Sequence, residues 1–276
     1  MKNKEEHHEE PAVENLVEQK DFIVDEVKKI TRPLNIKSKF VKQIVENLIN
    51  TLPTIIKIAN LNVDTKQISD FISLAKNDIS RANDAYRDND FNNTLLHLQQ
   101  SIEKIVKAYG MRLGIIENPQ VEVGHNTPKV YLKLLEETRE LYKIPEIFGI
   151  KTDIKVINDL KALIMNNKAK IELDKYAPVF LNVFKTVLKQ FNIKASKMEI
   201  RKVRREVKKK YEIDILRLCR LQIYFSFFLC PFAIITSPYA INPRYLIEHK
   251  YKELNLIKHY IEIQRNLKDL IAYNSV

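Results

Sequence analysis

Two consecutive stretches carry apolar residues at alternating steps of three and four, and that spacing constrains the fold more than any other feature. Ile68, Phe71/Ile72, Ala75, Ile79, Ala82 and Tyr86 form the first set, and Phe91, Leu95, Leu98, Ile102, Ile105 and Tyr109 the second. Such steps lay one apolar stripe along each of two helices. The RDNDF connection is too polar and too short for anything but a tight helix–helix turn. A Gly-containing loop follows. At Thr127-Pro128 a third helix is expected to start, with Thr as cap and Pro in the first helical position.

The rest of the chain points the same way. Only four glycines occur in 276 residues, all from Gly110 to Gly149, and β-branched alternation is scarce. The fold class is therefore all-α. Helices are expected over Pro128–Tyr142, Asp153–Asn166 and Pro178–Phe191, the last with Phe180, Val183/Phe184, Val187/Leu188 and Phe191 in register. A long amphipathic helix, Pro243–Ala272, would close the chain with Leu254, Ile257, Ile261 and Leu267 facing inward. Ahead of the hairpin, residues 1–10 read as a disordered charged tail and 11–61 as an N-terminal helical arm, interrupted at Pro33 and Pro53.

Over about 70 residues the sequence resembles the HEPN superfamily of small helical domains. The residues that carry the likeness are Gln99, Gln100, Glu103, Lys104, Lys107 and Ala108 in QQSIEKIVKA, with Gly124 and His125 in the loop before the third helix. The resemblance implies an antiparallel helical bundle, here over 62–276, with a core hairpin at 65–112 and a basic insertion at 194–210. It implies a homodimer and a setting among metal-independent ribonucleases of defence and toxin–antitoxin systems, partners of small nucleotidyltransferases, or non-catalytic binders of RNA or nucleotides.

Catalytic members of that family use an Arg, four to six intervening residues and a His. The His moves protons between the 2′-hydroxyl and the leaving oxygen, and the Arg stabilises the charged phosphate. Arg244 and His249 match this spacing in RYLIEHKY, although Tyr245 stands where the family often has Asn. Five residues along a regular helix turn through about 500°, leaving the two side chains roughly 140° apart. Convergence therefore requires Arg244 at a frayed helix start beside Pro243. The bland alternative is a surface Arg and a boundary His. His125 reads either as a phosphate or base contact or as a loop His bonded to the helix start. Glu103 could support such a site; equally, it could pair with Lys107 at i,i+4. His97 and His259 read as ordinary boundary residues.

The formal charge is +11, and KASKMEIRKVRREVKKK (194–210) supplies +7 of it from nine Lys/Arg and two Glu. Arg201, Arg204, Arg205 and Lys208 fall on one broad helical face, suited to phosphate contacts that position without reading sequence. Few aromatics interleave it, so base stacking is not suggested. The alternative is a solvated helix in a Lys-rich chain. Cys219 and Cys230 lie in an apolar segment and suit buried thiols in a reducing cytoplasm. No metal-ligand spacing, P-loop, dinucleotide fingerprint or nucleophile elbow occurs, so neither metal nor cofactor is expected. Leu221–Ile241 is long and apolar enough to span a bilayer. It reads rather as a core helix ending at Pro231, which makes membrane association the lesser alternative. The reading is a cytoplasmic, RNA- or nucleotide-associated protein that is non-catalytic or partner-dependent. The alternatives are a nuclease using Arg244 and His249, and a structural adaptor.

Overall fold

A computed structural model describes residues 65–112, 114–137, 154–195, 198–211, 214–240 and 248–274. These residues form helices and turns, with no strand among them. The N-terminal arm, the end of the helix expected to reach Tyr142, and Arg244 lie outside the described residues.

Helix α1 spans Thr65–Arg87 and α2 spans Phe91–Arg112. Asn89 adopts a left-handed backbone (φ 59°), which a short polar side chain tolerates. The amide of Asp90 donates to the Ala85 carbonyl (2.8 Å) and that of Asn89 to Tyr86 (3.2 Å), a paired closure that satisfies the last carbonyls of α1. Asp90 then turns to the next helix, its carboxylate accepting from the Asn93 amide at 3.1 Å. One three-residue turn thus ends one helix and caps the other.

The stripe of α1 is buried as the spacing predicts, through Ile72, Ala75, Ile79 and Ala82. In contrast, α2 is enclosed on nearly every side from Thr94 to Met111. The cause is visible in the packing: α1, α4 (Pro128–Glu137) and the apolar helix described below all pack against it. The inter-helix loop carries a single turn, α3 (Pro119–Glu122), capped by Asn118. Thr127 does not cap α4 as expected; its hydroxyl is buried without a hydrogen-bond partner among the described residues.

Helices α5 (Ile154–Met165), α6 (Asn167–Glu172), α7 (Ala177–Ala195), α8 (Met198–Tyr211) and α9 (Ile215–Ile223) follow. On α7, Phe184, Val187 and Phe191 are buried, but Val183 is 39 % exposed and does not join the core. The apolar segment departs from the expected stop at Pro231. Its helix passes from α9 through a π-turn, Tyr224–Leu229, into α10, Cys230–Thr236, without ending. The amide of Cys230 reaches back five residues to the Phe225 carbonyl. The wider ring makes room where a proline in a regular helix would strike the carbonyl four residues before it. Phe225, Phe228, Leu229 and Phe232 are buried, and Tyr131 donates its hydroxyl proton to the Phe225 carbonyl at 3.1 Å. The stretch Cys219–Tyr239 has the length and composition of a membrane span, yet its rings form the centre of the core.

The closing helix is also interrupted. A 3-10 turn, Glu248–Glu253, precedes α11 (Asn255–Lys258) and α12 (Tyr260–Asn274). Asp174, 6 % exposed and 81 residues away in sequence, accepts from the backbone amides of Asn255 (2.7 Å) and Leu256 (3.0 Å). It caps α11 from another segment and fixes the break. Consequently Ile257, Ile263, Leu267 and Leu270 face inward, whereas Ile261 is 46 % exposed.

Candidate functional site

Gln99, Glu103 and Lys107 occupy successive turns of one face of α2, and all three are buried. Gln99 donates its amide to Glu103 at 2.9 Å, and Lys107 Nζ donates to the other carboxylate oxygen at 2.6 Å. Burial alone would raise the Glu103 carboxyl. The bonds from Lys107 and Gln99, with the Lys107 and His125 charges, more than offset it and hold the carboxyl below its ordinary value.

His125 reaches this carboxylate from the loop, its Nδ1 lying 3.4 Å away. Only one member of the cluster meets solvent: the His125 side chain is 72 % exposed and that of Glu103 is 10 %. Local geometry sets the ring there. Gly124 takes a left-handed backbone (φ 55°). Before it, the Glu122 carboxylate accepts from the amides of Glu117 (2.8 Å) and Asn118 (2.7 Å) and pairs with Lys133 of α4. Burial opposes ionisation of Glu122, but these three donors prevail and lower its carboxyl value. The Glu103 carboxylate behind Nδ1 orients the imidazole, most of which faces solvent.

The HEPN domain family model matches residues 68–148. The chain carries a HEPN domain. HEPN domains are found in ribonuclease and nucleotide-related proteins. No curated protein and no solved structure matches the chain.

The match covers the hairpin and the His125 loop, so the buried Gln99–Glu103–Lys107 row belongs to the HEPN domain itself. A second ionic cluster lies elsewhere on α2. Lys104 pairs with Asp78 of α1, and His97 Nδ1 lies 3.8 Å from the same carboxylate and 3.3 Å from Gln100 Oε1. Asp78 is buried, and the cluster ties the two HEPN helices together.

Outside the matched stretch, α8 presents Arg201, Arg204, Arg205 and Lys208 to solvent. Arg204 is committed elsewhere: both its Nε (2.9 Å) and an Nη bond the Asp214 carboxylate. Asp214 in turn caps α9 through the amides of Leu216 (3.2 Å) and Arg217 (3.3 Å). Arg204 therefore pins α8 to α9, while Arg201, Arg205 and Lys208 point outward without a carboxylate partner among the described residues. The structure thus joins Glu103 to His125 and gives Arg204 a structural task. His249 falls in the 3-10 turn before α11 rather than in a long helix. Among the described residues no group of three or more His, Cys, Asp or Glu could hold a metal ion.

Proposed function

We propose that this HEPN protein associates with RNA or nucleotides as a binder or a partner-dependent component, without cleaving RNA on its own. The observation that carries this reading is α8. Arg201, Arg205 and Lys208 stand exposed on a helix whose one bidentate ion pair, Arg204–Asp214, fixes its seat on α9. Outward cations on a pinned helix suit contacts to a phosphate backbone, which supply affinity and register but no sequence choice. His125, oriented by Glu103, offers a second polar contact on the HEPN domain itself.

The biological setting that fits is a dimer in a toxin–antitoxin or defence system, acting with a partner such as a small nucleotidyltransferase. The test is fluorescence anisotropy of a labelled RNA with the wild type and with Arg201→Glu/Arg205→Glu/Lys208→Glu. Binding that weakens steeply with salt in the wild type and collapses in the triple variant is expected. Equal affinity of the two proteins overturns the assignment to α8.

A further inference from the structure

A groove of about 440 Å³ opens between α7 and the α11–α12 corner. Lys185 lines it from α7, and Lys258, His259, Glu262, Arg265 and Asn266 line it from the other side. Three full positive charges face one carboxylate. Lys258–Glu253 (2.8 Å) is a solvent-exposed bridge, and Lys185–Glu262 (2.5 Å) joins an exposed ammonium to a half-buried carboxylate; pairs at a surface hold their partners weakly. Arg265 has no carboxylate partner among the described residues. A ligand phosphate can therefore take these cations without dismantling the core. Among the described residues that line it, the only aromatic ring is the imidazole of His259, so they offer charge rather than a stacking platform.

The groove is not isolated. Along α7, Lys185, Lys189 and Asn192 sit at i, i+4 and i+7, one face of the helix, and Lys189 and Asn192 are exposed. Asn192 accepts from Arg220 of α9 at 2.6 Å. One and two turns back along α9 lie Arg217 and Asp214, and Asp214 holds Arg204 of α8. A line of basic residues thus leads from α8 toward the groove, joined by Arg204–Asp214 between α8 and α9 and by Arg220–Asn192 between α9 and α7.

We propose that the groove binds the phosphate backbone of an RNA strand whose other end lies on α8. The inference rests on the RNA-associated reading above and gives it a second contact point on helices outside the matched HEPN stretch. The described residues that line it include none from the His125 loop.

The experiment titrates the full chain against a fluorescein-labelled RNA between about 50 and 200 mM salt. It compares the wild type, Lys258→Ala/Arg265→Ala and Glu262→Gln. With two phosphate contacts removed, the slope of log K on log salt should shrink by about 1.4, at about 0.7 per contact on a single strand. Glu262→Gln, which removes the one carboxylate among the described residues that line the groove, should bind more tightly than the wild type, a gain that misfolding cannot imitate. Wild-type binding with unchanged slopes in both variants overturns the groove and leaves α8 standing. No binding by the wild type overturns the RNA reading itself. Adenosine monophosphate competing at the groove, and abolishing the difference between wild type and double variant, would make the site a mononucleotide pocket and overturn the strand.

Discussion

Replacing Lys107 by methionine keeps a long, mostly apolar side chain on α2 and deletes its ammonium. Lys107 and Glu103 are 7 % and 10 % exposed at the side chain, and their charges lie 2.6 Å apart. The variant leaves a carboxylate inside the bundle with one strong donor, Gln99, and the longer contact to His125. Deleting one partner of a buried ion pair costs about 3–5 kcal/mol, and the surviving Gln99 bond favours the lower end. At about 2–4 °C per kcal/mol for a chain of this size, a 3 kcal/mol loss lowers the melting temperature by roughly 6–12 °C. Acid provides the decisive control. In the wild type the folded Glu103 carboxyl lies below its ordinary value of 4.5. Its contribution is therefore complete above that value and is lost as the pH falls through the folded value. Without Lys107, burial dominates and raises the carboxyl, so the penalty is full at neutral pH and is relieved by protonation. Denaturant unfolding followed by circular dichroism should show the gap between the two proteins narrowing as the pH drops toward 4. Glu103→Gln in the Lys107→Met background should recover most of the loss at neutral pH. A neutral-pH loss under about 1 kcal/mol, the range of an exposed pair, would refute the buried ion cluster, as would a gap that widens in acid.

Three other perturbations probe the architecture. A Cβ at Gly110 would meet Ile116 Cδ1 and Val130 Cγ1 at 2.9 Å. Gly110→Ala should therefore cost up to about 2 kcal/mol in thermal denaturation, an overpacking cost of about 1–3 kcal/mol set against a helix gain of about 1 kcal/mol. Asp174→Ala uncaps α11 and leaves two amides unpaired, so equilibrium unfolding should show a loss of about 2 kcal/mol, with Asp174→Asn losing less. Cys219 and Cys230 are half-buried by surface area, yet their crowded apolar surroundings push both thiols up to about 12, the Asp214 charge adding to the effect at Cys219. A thiol-specific chromogenic reagent should react slowly with the folded protein and release both equivalents on denaturation.

The hairpin was legible because its information is local. Alternating steps of three and four, and a turn with Asn89 and Asp90, determine two helices and their closure within a few dozen residues. The all-α class followed from the same periodicity and from the scarcity of glycine. What escaped notice depends on partners distant in sequence. Nothing around Asp174 announces that it will cap a helix 81 residues later, and that cap turns Ile261 outward. Pro231 ordinarily ends a helix, and its passage through the π-turn depends on how Phe225 and Cys230 are held in the core. Of the site residues, Glu103 and Lys107 could be paired by their i,i+4 spacing alone. The meeting of Glu103 with His125 was not legible, since a loop intervenes and the family likeness names both residues without pairing them. Arg204 looked like its neighbours on the basic face, and only the placement of Asp214 sets it apart. The groove cations come from α7, α11 and α12, so no single stretch of sequence contains their pattern.

The most direct test of the central claim is to incubate the purified chain with a mixed RNA pool in EDTA and measure retention and fragment length together. Retained, full-length RNA is the expected result, with Arg244→Ala and His249→Ala indistinguishable from the wild type. Fragments produced by the wild type and abolished in both variants would contradict it, making the protein a metal-independent endoribonuclease that works through that pair.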